Sequence, residues 1–258
     1  MFRGTLFALL CALVSATHRP QGLTSQVKPG GSHSNVIGGT EVTPHSHPYV
    51  VHIDAWGVCQ GFLLSDEWVV TIAQCIAPAE EAVLTFGAHN IYEHEPEQVK
   101  FYSSEFIVHE EFSSTDFLND IALIKLQQPI LFTPAIQPAA LPTYSIQNGS
   151  RAILTGWGQT SESDPYYSDV LREGKVTISH DQECEDYYGL TYPHTICVMT
   201  GHGSAPFCQG DFGSTLYFQG TVHGIASFYS AAGCDSDGGD VYTRIYDFVD
   251  WIKSHTGL

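Results

Sequence analysis

From Val36 onward the chain is built of short β-branched and aromatic runs separated by turn residues, which restricts it to a fold of many short strands. The runs are Tyr49–Ile53, Trp68–Ile72, Ala82–Phe86, Ile121–Leu126, Ala152–Thr155 and Gly224–Phe228. Many short segments separated by turn residues point to an all-β barrel or sandwich. One helix is expected, at the C-terminus, where Tyr246, Val249, Trp251 and Ile252 share an apolar face. No internal repeat and no linker divides the region.

The one long apolar run is N-terminal. Met1-Phe2-Arg3 precedes Leu6 to Val14 and a small-residue site at Val14-Ser15-Ala16, the pattern of a secretory signal peptide over residues 1–16. The run is too short to span a bilayer. Residues 17–35 are polar and rich in Gly, Ser and Pro, as in a leader or propeptide, and the domain occupies 36–258. With 10 Lys+Arg against 28 Asp+Glu the formal charge is −18, which disfavours nucleic acid and anionic membranes as partners. Residues 1–35 carry Arg3, Arg19 and Lys28 and no acid, so the acidity belongs to the domain.

Setting aside Cys11, the domain holds six cysteines: Cys59, Cys75, Cys184, Cys197, Cys208 and Cys234. An even count in an exported chain points to disulfides, although spacing alone does not choose the pairing. No Cys-x-x-Cys or His-x-x-x-His cluster suggests a metal. Asn148-Gly149-Ser150 is an N-glycosylation acceptor.

Val36-Ile37-Gly38-Gly39, Thr71-Ile72-Ala73-Gln74-Cys75, Asn119-Asp120-Ile121-Ala122-Leu123, Thr155-Gly156-Trp157-Gly158 and Cys208-Gln209-Gly210-Asp211-Phe212-Gly213 follow one another in this order. Together they resemble the chymotrypsin/trypsin-like serine peptidases over essentially all of residues 36–258. Gly87-Ala88-His89-Asn90-Ile91, Ser168-Asp169-Val170-Leu171-Arg172 and Ala231-Ala232-Gly233-Cys234 resemble the arthropod collagenase-like and chymotrypsin-like branch. The resemblance implies two six-stranded antiparallel β-barrels with a cleft between them and a C-terminal helix. It also implies the bridges Cys59–Cys75, Cys184–Cys197 and Cys208–Cys234.

In that family a serine attacks the scissile carbonyl, a histidine takes its proton and a buried aspartate orients the imidazole. The resemblance places the aspartate at Asp120, the base at Gln74 and the nucleophile at Phe212. A carboxamide does not titrate near neutral pH and a phenyl ring carries no nucleophile. The expectation is therefore a non-catalytic homologue, not an enzyme, that works by binding protein. The backbone amides of Gly210 and Phe212 fall at the oxyanion-hole positions. Two other readings are an active endopeptidase with an unorthodox nucleophile, with Ser214 and His223 or His202 as a displaced dyad, and an extracellular scaffold.

Further positions follow from the same likeness. Pro206 falls at the floor of the primary specificity pocket, and Ser227, Phe228 and Tyr229 at its entrance, with Tyr229 narrowing the slot. Asp240 reads either as a pocket-wall carboxylate able to bind a basic side chain or as a solvated turn aspartate. Family members are cut before the Val36 position and the new amine pairs with the equivalent of Asp211, but residue 35 is Asn rather than Arg or Lys. Glu93, Glu95 and Glu97 lie in the loop that often binds calcium in relatives, against the plainer reading of a solvated acidic loop. The expected partner is a peptidase inhibitor or peptidase substrate at the cleft of a secreted monomer.

Overall fold

The computed structural model describes residues 39–200 and 204–258. The expected signal peptide, the leader, Val36 and His202 lie outside the described residues.

Among the described residues there are fourteen strands. The first eight are β1 (Thr40–Glu41), β2 (Val50–Asp54), β3 (Val58–Leu63), β4 (Trp68–Thr71), β5 (Ala82–Phe86), β6 (Val99–Ser103), β7 (Glu105–Val108) and β8 (Ala122–Lys125). The remaining six are β9 (Arg151–Gly156), β10 (Arg172–Thr177), β11 (Thr195–Met199), β12 (Thr215–Phe218), β13 (Thr221–Phe228) and β14 (Gly239–Arg244). Helices are α1 (Ala73–Ile76), α2 (Asp181–Tyr188) and α3 (Val249–Thr256), the last being the expected C-terminal helix.

The strands form two curled antiparallel sheets of seven, in the orders β6-β5-β2-β3-β4-β8-β7 and β1-β10-β9-β12-β13-β14-β11. The all-β class is as expected, and the strand count differs from six for an identifiable reason. Residues 99–108 are one extended segment interrupted at Ser104, pairing on one side as Ala82↔Ser103 and on the other as Glu105↔Lys125. The same segment thus joins both edges of the first sheet and closes it, with Ser103 Oγ donating to Lys125 O at 2.6 Å across the seam. In the second sheet the extra strand is β1, held on β10 by Thr40↔Glu173 and Glu41↔Arg172. His47 to Glu173 (2.9 Å) and His89 to Glu41 (3.0 Å) flank that short edge.

Each sheet wraps a core. Ile53, Phe62, Leu84 and Leu123 are among the fully buried residues of the first, and Leu154, Ile196, Phe207 and Tyr242 of the second. Phe212 packs against both, which places it at the junction of the two halves. Burying each such side chain contributes roughly 1.5–3 kcal/mol. The three disulfides join Cys59 to Cys75, Cys184 to Cys197 and Cys208 to Cys234, the pairing that the resemblance implied. Among the described residues no helix is long and apolar enough to cross a membrane.

Candidate functional site: a recess between the two sheets

Asp120 is the electrostatic centre of the cleft. Phe117 and Asn119 both adopt left-handed backbone (φ 53° and 52°), and the tight turn Ile121 N→Asn119 O (2.9 Å) directs the intervening side chain inward. Its carboxylate is 1% exposed. It accepts Gln74 N at 2.9 Å, Gln74 Nε2 at 2.6 Å and Ser227 Oγ at 2.6 Å, while Thr243 Oγ1 donates to its carbonyl at 2.7 Å. Burial pushes its pKa up to about 6, and the donors from Ser227 and Gln74 oppose that rise.

Gln74 sits on the single turn α1, whose neighbour Cys75 is tied to β3 through Cys59. Its amide donates to Ser227 O (2.8 Å) as well as to Asp120, so it links the carboxylate to the far sheet. These contacts fix the carboxamide in place, and an amide so held neither accepts nor releases a proton near neutrality.

Phe212 follows a turn governed by Asp211. Asp211 is fully buried, accepting Gly158 N at 2.7 Å, Cys208 N at 3.2 Å and Gln60 Nε2 at 3.3 Å. Burial outweighs these donors and raises its pKa to about 7. A Cβ on Gly156 or Gly158 would fall 2.0 or 2.2 Å from this carboxylate, which explains the two glycines beside Trp157. Gly210, at φ +88°, has its carbonyl held by Gln60 Nε2 at 2.8 Å, and Phe212 O accepts Gln60 N at 2.7 Å. Gln60 therefore ties β3 to the whole turn.

Aromatic rings fill the region where the primary pocket was expected. Phe207 lies 5.3 Å from Tyr242, 5.4 Å from Tyr229 and 5.9 Å from Phe212, and Phe212 stacks on Tyr229 at 5.8 Å and 19°. Pro206, beside it, is buried. Asp240 is 2% exposed on β14, where its Oδ2 accepts Phe207 N at 3.0 Å. The solvated-turn reading of Asp240 is thus corrected: the strand pairing carries its side chain inward, and burial pushes its pKa well up.

What remains open is a recess of about 350 Å³ lined from the first half by Gln74 and Phe117 and from the second by Glu162, Gln209, Phe212, Phe228, Tyr229, Ser230, Ala231 and Gly233. A larger recess, about 700 Å³, includes Thr40, Lys175, Pro206 and Asp235 but none of Gln74, Asp120 and Phe212. The smaller one is the candidate site because Gln74 and Phe212 line it, with Asp120 buried behind Gln74.

Other expected residues lie outside it. Ser214 is fully buried, its Oγ 2.9 Å from where a Cβ on Gly156 would fall, and His223 is 1% exposed with Nε2 2.8 Å from Thr221 Oγ1. Neither lines the recess. Glu95 turns inward to accept His89 N (2.6 Å), Asn90 N (3.1 Å) and Gln98 Nε2 (3.0 Å), whereas Glu93 and Glu97 are exposed. Among the described residues no group of three His, Cys, Asp or Glu is arranged to hold a metal ion. Asn148 is exposed, its Nδ2 2.7 Å from His180 Nδ1. Sequence reading missed Gln60, Phe207, Phe117 and Glu162. Phe207 adjoins Pro206, which was singled out, but its type alone reads as ordinary core.

The trypsin family profile matches residues 36–252. A brachyurin from Leptuca pugilator is 39% identical over 225 residues, covering 86% of this chain and 99% of its own. A chymotrypsin from Phaedon cochleariae is 33% identical over 231 residues (86% and 82%), and trypsin II-P29 from Gallus gallus 34% over 229 residues (87% and 91%). These relatives correct the expectation that the chain is not an enzyme: at 33–39% identity they carry the names of active peptidases. The side chains of Gln74 and Phe212 do not by themselves remove it from that class.

Proposed function

The chain belongs to the trypsin family of serine peptidases, and from that premise we propose that it is a secreted protein whose function is to engage a polypeptide in the cleft between its two sheets. The observation that carries this is the recess itself, lined by the half-buried rings of Phe212, Phe228, Tyr229 and Phe117, the last packed 5.6 Å from Phe228. Rings that are already partly ordered present contact area at low entropic cost, the usual character of an anchoring site. Tyr229 is held by the stack on Phe212 and by Gln209 Nε2 donating to its hydroxyl at 3.0 Å.

Gln74, Asp120 and Phe212 stand at the family's base, orienting acid and nucleophile positions. Here Gln74 and Phe212 line the recess, and the buried Asp120 holds the Gln74 carboxamide in place. Peptide-bond cleavage at this cleft would have to draw its nucleophile and its base from groups other than Gln74 and Phe212. Three disulfides and the apolar N-terminal run support export, and the Asn148 triplet is a glycan acceptor in that setting.

The test is calorimetric titration with reduced, carboxamidomethylated lysozyme, an unfolded polypeptide, with mass spectrometry of the mixture reading any cleavage. Tyr229→Ala is expected to weaken binding by roughly 1–3 kcal/mol. Absence of binding, or an unchanged affinity in a variant with an intact circular dichroism spectrum, would overturn the reading.

A further inference from the structure

Resting on that reading of the cleft, we infer that the recess clamps a cationic side chain, arginine above all, between its aromatic wall and the Glu162 carboxylate, so that the polypeptide engaged is basic where it seats. Phe228 is braced by Phe117 at 5.6 Å, Tyr188 at 5.6 Å and Tyr192 at 5.0 Å, which fixes the wall. Aromatic surface attracts cations through the ring quadrupole, and a planar guanidinium adds stacking and a fork of donors for a carboxylate.

Glu162 supplies that carboxylate. A Cβ on Gly233, which sits at φ +107°, would fall 1.6 Å from Glu162 Oε2, so the carboxylate lies directly on the glycine backbone at the recess wall. Its loop is anchored by Asp235, whose Oδ2 accepts Ser161 Oγ at 2.9 Å and Glu162 N at 3.1 Å. Glu162 is the acid in the lining of this recess, which no Lys or Arg lines, and Asp235 lines the larger one. Among the described residues Glu162 forms no ion pair, in a chain whose formal charge is −18. The field at the recess favours a cation and penalises an acidic ligand.

The buried acid Asp240 does not compete for this role. It is bonded to the Phe207 amide behind the packed rings of Phe207 and Tyr229, whereas Glu162 is exposed. The cation is met at the rim and stays near the surface, which makes its binding sensitive to salt.

Fluorescence anisotropy of the full chain with two labelled pentapeptides, identical except for arginine or citrulline at the centre, tests the inference. Citrulline keeps the shape and removes the charge. At roughly 50 mM salt the arginine peptide is expected to bind about tenfold more tightly. Glu162→Gln should remove most of that preference with its circular dichroism spectrum unchanged, and Glu162→Asp, which keeps the charge, should retain much of it. Equal binding of the two peptides, or a preference that survives Glu162→Gln, overturns the inference and leaves the polypeptide reading standing. If neither peptide binds while unfolded lysozyme does, the inference alone fails; if lysozyme also fails to bind, both do.

Discussion

Replacing Gln74 by leucine tests the organisation of the cleft, because the two side chains are similar in size and differ in the hydrogen bonds made. The substitution deletes the Nε2 donors to Asp120 Oδ2 (2.6 Å) and Ser227 O (2.8 Å) and leaves the Gln74 amide and Ser227 Oγ on the carboxylate. A hydrogen bond to a charged group contributes about 1.5–3 kcal/mol and a neutral one about 1 kcal/mol, so a loss of roughly 2–4 kcal/mol is expected while Asp120 is ionised. For a domain of this size that lowers Tm by roughly 4–16 °C. The native pKa of Asp120, about 6, lies above the ordinary carboxyl value. Its protonated form is therefore favoured by folding, and that contribution is lost as pH rises through about 6. The Gln74 donors offset the cost of the ionised form, so the loss in Gln74→Leu should be full near about pH 8 and shrink below about pH 6. Urea denaturation followed by tryptophan fluorescence at both pH values measures it. A loss under about 0.5 kcal/mol, or one equal at the two pH values, would refute the argument.

Two further outcomes follow from the same turn. The native pKa of Asp211, about 7, means that its stabilising contribution also fades as pH rises through about 7, so Asp211→Asn should flatten the dependence of urea midpoints on pH between about 5 and 8. Gly158→Ala places a Cβ 2.2 Å from the Asp211 carboxylate and should cost about 3 kcal/mol in urea denaturation, whereas Gly57→Ala, with no atom within 4 Å, should stay within about 0.5 kcal/mol.

The six expected strand segments are all strands, because each carries a run of β-branched or aromatic residues long enough to outweigh its neighbours. Strands β10 and β14, read from Arg-Glu-Gly-Lys-Val-Thr and Gly-Asp-Val-Tyr-Thr-Arg, escaped notice. Both carry charged residues, Arg172 and Asp240, that are buried only by partners distant in sequence, and helix α2 turns little more than Cys184 and Tyr188 to the core. The bridges were legible through the family likeness and not through spacing, since cysteine positions carry no pairing information until the chain is folded.

Sequence by itself determined the strand-rich class and the acidity, since residue type and its alternation set both, and it placed Gln74 and Phe212 in the motifs where they stand. Only the tertiary structure decided what surrounds them. Gln60 reaches Asp211 across 151 positions and Gln74 reaches Ser227 across 153, while Phe207 closes a pocket and hides Asp240. The open recess with Glu162 at its wall is likewise a product of that assembly. Such contacts depend on which segments the two sheets bring face to face, and a carboxylate's charge state then follows from the burial this imposes rather than from its neighbours in the chain.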